Sequence, residues 1–293
     1  MYPVAQETFD EADAALDYQL SQVCFEGPED KLKLTEITQP AILTVSVAVW
    51  RVLQSKGIAA SYVAGHSLGE YSAHVAAGTL GFADAVRTVR NRGKYMQEAV
   101  PVGVGAMAAV LALDVDKVQQ VCEEAARGEV CCAANMNSPD QTVISGNKAA
   151  VERAAELARH RGAKRAIMLP VSAPFHCPLM QPAQDRLAAD LAALTFHTPE
   201  VPVMCNVDAN LVTTAEQARD ALVRQVTGAV QWHKSMRALT ALGARDFVEV
   251  GPGKVLCGLI KQIDRSLSCF NVEDETSLQR TLNHFSPASA RPE

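Results

Sequence analysis

The chain has 293 residues, 48% hydrophobic and 20% charged, with 17 glycines and 14 prolines; this excludes disordered, collagenous and low-complexity classes and leaves room for about two compact units. Lys and Arg number 27 against 33 Asp and Glu, so the net charge of −6 gives solubility but no field that would gather nucleic acid or anionic lipid. The stretch 40–52 is broken by Thr44, Ser46 and Arg51, and residues 1–7 lack a basic region followed by an apolar run, so no membrane segment, no secretory signal and a cytoplasmic location are expected.

Thr38-Gln39-Pro40 reads as a helix start with proline in the first turn. That helix runs through Leu53 to a stop at Lys56-Gly57 and, being apolar nearly all round, should be buried. A short strand at 62–65 precedes a helix at 67–77, and an amphipathic helix at 82–99 is stopped by Pro101. From 103 to 170 the order is strand 106–113, helix 115–126, strands 130–137 and 141–145 joined at Ser138-Pro139-Asp140, helix 148–161 and strand 164–169. This β-α-β-β-α-β order predicts a ferredoxin-like subdomain at 103–170. It is inserted into a large α/β-hydrolase-like parallel-sheet domain made of 1–102 and 171–285. The latter continues with helix 178–194, strand 201–207, helices 215–225 and 233–242, strand 246–250, helix 254–263 and strand 267–272, and 286–293 reads as a disordered tail. The eight cysteines show no CxxC spacing and are expected to be reduced thiols without a metal.

Gly65-His66-Ser67-Leu68-Gly69 places G-x-S-x-G between the predicted strand and helix, the context of a nucleophile elbow. The sharp turn holds the Ser67 hydroxyl out, Gly65 and Gly69 let strand and helix pass closely, and the helix N-terminus favours an oxyanion, with Leu68 N–H as its donor. Ser67 needs a base. Of the seven histidines, His176 is singled out because Pro174 and Pro178 pin its loop where the chain leaves the inserted module; His233, beside Trp232, is the reserve. Gly251-Pro252-Gly253-Lys254 lacks the spacing of a phosphate loop and reads as a strand-to-helix turn.

Together with Arg92-Gly93-Lys94-Tyr95-Met96-Gln97-Glu98, Asn137-Ser138-Pro139, Pro174-Phe175-His176-Cys177 and Glu249-Val250-Gly251-Pro252-Gly253-Lys254, the elbow resembles the malonyl-CoA:acyl carrier protein transacylase family over nearly the whole chain. The resemblance implies transfer of malonyl from malonyl-CoA to Ser67 and then to the phosphopantetheine thiol of an acyl carrier protein, a ping-pong sequence supplying fatty acid synthesis, with His176 as base and acid. It further implies that Arg92 receives the malonyl carboxylate, that a backbone carbonyl at Gln225 orients the histidine, that Asn206 supports it, and that Phe175 disfavours α-methyl substituents. No metal or redox cofactor is expected, and the partners are malonyl-CoA and acyl carrier protein, with a monomer expected. A basic rim including Lys94, Arg165, Lys234 and Lys254 would dock the carrier. The family's chains open with a strand and a Pro-Gly-Gln-Gly-Ser-Gln loop ahead of the helix that Tyr2 to Leu16 resembles; this sequence starts after them, which implies a misplaced start codon or a truncated gene. A serine hydrolase or thioesterase, and an inactive remnant that binds carrier proteins, are the alternatives.

Overall fold

The computed structural model describes residues 2–171 and 173–285; the expected tail at 286–293 lies outside the described residues. The chain opens on helices α1 (Pro3–Ala15), α2 (Leu20–Glu26), α3 (Glu29–Leu32) and α4 (Thr35–Ser55). Proline at the first position of α1 loses no helical hydrogen bond. In α4 the helix begins before the expected Thr38, so Pro40 lies inside it rather than in its first turn. The upstream start is held by the Thr38 hydroxyl, which donates to the carbonyls of Leu32 and Leu34. As expected for its composition, α4 is buried, from Ile37 through Leu53.

There follow β1 (Val63–Ala64), α5 (Gly69–Ala76) and α6 (Phe82–Glu98), then β2 (Gly105–Leu111), α7 (Val115–Ala126), β3 (Cys131–Ser138), β4 (Gln141–Asn147), α8 (Lys148–His160) and β5 (Arg165–Met168). Strands β2 to β5 form an antiparallel sheet in the order β3-β4-β2-β5. Helices α7 and α8 cover one face through Val118, Val121, Val151, Ala154 and Ala158 against Ala108, Val110 and Ile144. Asp114 starts α7 by accepting the Asp116 N–H, as an N-cap should. The outer edge of β3 is joined to the rest of the protein at Val230, whose N–H donates to Ala134 and whose carbonyl accepts from Met136.

After a 3-10 turn at Pro178–Met180 come α9 (Gln181–Ala192), β6 (Val203–Met204), β7 (Leu211–Val212), α10 (Ala215–Arg224), α11 (Trp232–Ala241), β8 (Asp246–Val250), α12 (Val255–Ile263), β9 (Ser268–Val272) and α13 (Glu275–Phe285). The molecule is therefore mixed α/β. Among the described residues the parallel strand pairs fall in two separate pieces, β1 with β6 and β8 with β9, rather than in one continuous sheet, and a single parallel bridge joins Asn135 to Val230. An antiparallel β7, not expected from the sequence, completes the first piece. With two residue pairs between β1 and β6, ladder bonds contribute little there. Side-chain packing holds the layer, Met204, Trp232, Met236, Leu259 and Ile260 burying one side and the main core of α4, α5, α6, α9 and α10 the other.

Cys257 and Cys269 are joined by a disulfide between α12 and β9, against the expectation that every thiol is free. They lie only twelve residues apart in sequence, and the parallel pairing of β8 with β9 folds α12 back over its own strand. No helix among the described residues is long and apolar enough to cross a membrane.

Candidate active site

Between β1 and α5 the backbone makes a turn with Ser67 at φ 53°, in the left-handed region, where a residue with a side chain is strained by about 1–3 kcal/mol. That dihedral cannot be helical, so α5 starts at Gly69 rather than at 67, with Leu68 as its cap. Gly65 makes the turn possible: a β-carbon on it would lie 1.9 Å from the carbonyl carbon and oxygen of Gly69. Gly69 does not share that role, since a β-carbon there would meet nothing within 4 Å. Asn206 pins both sides of the turn. Its Oδ1 accepts the Ser67 N–H at 2.6 Å and its Nδ2 donates to the Gly65 carbonyl at 2.6 Å, so its contacts lie on the elbow and not on the histidine.

His176, also in the left-handed region at φ 58°, projects from the proline-flanked loop so that Nε2 is 2.7 Å from Ser67 Oγ. Its Nδ1 is 3.0 Å from the Gln225 carbonyl and 3.2 Å from the Gly228 carbonyl. Carbonyls only accept, so Nδ1 carries the ring proton and Nε2 is free to accept the serine O–H. Burial first, then the nearby Arg92 charge, push the His176 pKa down to about 3, which keeps the ring neutral near pH 7.

Arg92 stands on α6 and is 2% exposed, not a solvated helix arginine. One terminal nitrogen donates to Ser67 Oγ at 3.1 Å and to Gln225 Oε1 at 2.9 Å, and the other to Gln39 Oε1 at 2.7 Å. Its Nε is buried without a partner, an open donor on the same guanidinium that reaches the nucleophile. Gln225 thus contributes at both ends: the carbonyl accepts the His176 Nδ1–H, while the side chain links Arg92, the Ser67 carbonyl (2.8 Å) and the buried carboxyl of Glu70 (2.6 Å).

Sequence reasoning missed Gln39 and Glu70. Gln39 could have been noticed as a polar residue inside a helix that is otherwise apolar all round, and Glu70 as an acid next to the buried Tyr71, Ala73 and His74. Phe175 is half-buried and packs between the main core and the far face of the four-stranded sheet, against the cluster of Met107, Ala109, Ala134 and Val143. His66 turns away from Ser67, bonding Asn137 at 2.8 Å and lying 5.6 Å from the Trp232 ring. The reserve base His233 is the second residue of α11, and the partner of Ser67 is His176. Lys94, Arg165, Lys234 and Lys254 are all exposed. At the turn after β8, Glu249 fills the N-terminus of α12 by accepting from Leu256 N and Cys257 N, which leaves those donors no phosphate to bind.

The chain as a whole has close parallels among known proteins. A family model described as the acyl transferase domain matches residues 2–282. The malonyl CoA-acyl carrier protein transacylase of Escherichia coli K12 is 52% identical over 282 residues, 96% of this chain and 91% of that one. An acyl carrier protein S-malonyltransferase from Vibrio cholerae superimposes with a TM-score of 0.94 at 46% identity, covering 96% of this chain and 92% of the other. A malonyl-transacylase solved in complex with its type II PKS acyl-carrier protein superimposes with a TM-score of 0.94 at 48% identity over 97% and 92% of the two chains. The chain belongs to the acyl transferase domain family and, within it, to the malonyl CoA-acyl carrier protein transacylases.

Proposed function

We propose that the protein moves the malonyl group of malonyl-CoA onto the phosphopantetheine thiol of an acyl carrier protein through a malonyl-Ser67 ester, supplying fatty acid synthesis. The observation that carries this reading is the buried Arg92, one nitrogen 3.1 Å from Ser67 Oγ and its Nε unpaired. A cation placed there suits an acyl group ending in a carboxylate, and it has no use in a general esterase. His176 Nε2 takes the Ser67 proton as Oγ attacks the thioester carbon, and Leu68 N–H at the head of α5 meets the oxyanion. Because burial makes His176 a weak base, the proton moves only as negative charge builds on that oxygen. The imidazolium then returns the proton to the leaving coenzyme A sulfur. In the second half the carrier thiol gives its proton to His176 and attacks the ester, restoring Ser67. No bound metal or redox group takes part.

In this reading residues 103–170 are a ferredoxin-like module inserted in an α/β-hydrolase-like domain, the loop carrying His176 leaves their junction, and Phe175 limits substituents on the acyl α-carbon. The enzyme works as a cytoplasmic monomer. Intact mass after brief exposure to malonyl-CoA tests the first step: wild type gains one malonyl group and Ser67→Ala gains none. Adding carrier protein must then clear the ester by transfer. Release that stays hydrolytic with abundant carrier would make the protein a thioesterase.

A further inference from the structure

Among the described residues, Glu70 and Arg92 are the buried side chains that ordinarily carry a full charge, at 0% and 2% exposure. They do not touch. No carboxylate among the described residues forms an ion pair with Arg92; its counter-charge arrives through Gln225, whose Oε1 accepts from Arg92 at 2.9 Å while its Nε2 donates to Glu70 Oε2 at 2.6 Å. Glu70 Oε2 also accepts the Asn206 N–H at 3.1 Å, whereas Oε1 is buried with no partner at all. A cation, an amide and a carboxyl thus form one chain, with the nucleophile at the cation end and a bare oxygen at the other.

We propose that Glu70 is the counter-charge of Arg92 in the free enzyme and takes one proton from solvent when the carboxylate of an acyl group binds that arginine. The inference rests on the malonyl-loading reading above. In a site with little water, one guanidinium cannot stabilise two carboxylates equally. The substrate carboxylate would be bonded to it directly and Glu70 only through an amide, so Glu70 is the anion that neutralises. The bare Oε1 is where the proton resides. Burial has already pushed the Glu70 pKa up to about 7, against the lowering by Gln225, the Asn206 N–H, Arg92 and Arg224. The other groups around it are accounted for: Tyr71 and Cys205 have pKa values raised by burial, His74 on the next turn of α5 is held neutral by burial, Arg224 of α10 is paired with Asp208 and Asp220, Arg92 is the charged residue that α6 buries, and the buried residues of α4 and all of β1 and β6 are uncharged.

Loading itself is proton-neutral: the Ser67 O–H proton ends on the coenzyme A thiol as the C–S bond breaks and the C–O bond forms. Net proton uptake on loading therefore reports the protein. Wild type and Glu70→Gln are equilibrated with a fixed malonyl-CoA to coenzyme A ratio from pH 6 to 8, and malonyl-Ser67 is measured by intact mass after acid quench. Coenzyme A ionisation acts on both proteins alike, so the ratio of their loading constants is read. Since the loaded form holds more protons, that ratio falls by up to about tenfold per pH unit as pH rises, and Glu70→Gln loads more fully than wild type at pH 8. A ratio independent of pH overturns the proposal. Should Glu70→Gln not fold, acetyl-CoA on wild type decides: the ratio of malonyl to acetyl loading constants, in which coenzyme A ionisation cancels, falls as pH rises, and a ratio independent of pH overturns the proposal. Absence of any ester on wild type removes the transferase reading instead.

Discussion

Arg92→Met separates recognition of the acyl carboxylate from the serine chemistry. Methionine keeps most of the volume on α6 and removes the guanidinium. Leaving a buried carboxylate without its partner costs about 3–5 kcal/mol, so kcat/KM for malonyl-CoA should fall roughly 150- to 5,000-fold. Acetyl-CoA has no carboxylate and loses only the contact with Ser67 Oγ at 3.1 Å, an effect of about 0.5–1.5 kcal/mol or little more than tenfold. The ratio of malonyl to acetyl transfer should therefore collapse by at least about tenfold, read from coenzyme A release in the presence of carrier protein. Gln39 Oε1 and Gln225 Oε1 each lose a donor, at about 1–3 kcal/mol apiece, so the thermal midpoint must be measured beside the rates to ensure that folded protein is compared. An unchanged malonyl to acetyl ratio in a folded Arg92→Met protein would refute the role given to Arg92.

Two further outcomes follow from the elbow and its helix. Gly65→Ala should abolish ester formation and lower the thermal midpoint, because its β-carbon would lie 1.9 Å from the Gly69 backbone, whereas Gly69→Ala should leave stability within about 0.5 kcal/mol of wild type; equal effects would contradict the packing described. His74 on α5 is fully buried with neither ring nitrogen bonded, and burial pushes its pKa down from 6.5 to about 3. A depressed folded pKa means that stability is intact above about 6.5 and is lost as pH falls, by up to about 1.4 kcal/mol per unit. His74→Leu should therefore lose about 2 kcal/mol less than wild type between pH 7 and 5 in urea unfolding, and parallel pH profiles would show that His74 is not the titrating group.

Much of the molecule is legible in the sequence because its causes are local. The helix 115–126 has its expected limits since Asp114 caps one end and Arg127-Gly128 turn the other into the left-handed region. The elbow is legible for the same reason: Gly65, Ser67 and the start of α5 are neighbours in the chain, and their backbone collisions exist whatever the rest of the protein does. His176 could be singled out by the prolines around it. What the sequence by itself determined, then, is the elbow turn at Ser67, the proline-flanked loop of His176 and the order of most elements.

The charge environment was decided only by tertiary structure. Whether Arg92 is a solvated helix residue or a buried cation depends on Gln39, Ser67 and Gln225, which lie 53, 25 and 133 residues away. Asn206 reaches the elbow across 139 residues, and Gln225 reaches Glu70 across 155. The split of the parallel strands into two pieces and the Cys257–Cys269 bridge likewise depend on which surfaces pack, not on the strand patterns. Periodicity and turn chemistry act over a few residues, but desolvation and Coulomb forces depend on everything within several ångströms, and only the folded chain brings those groups together.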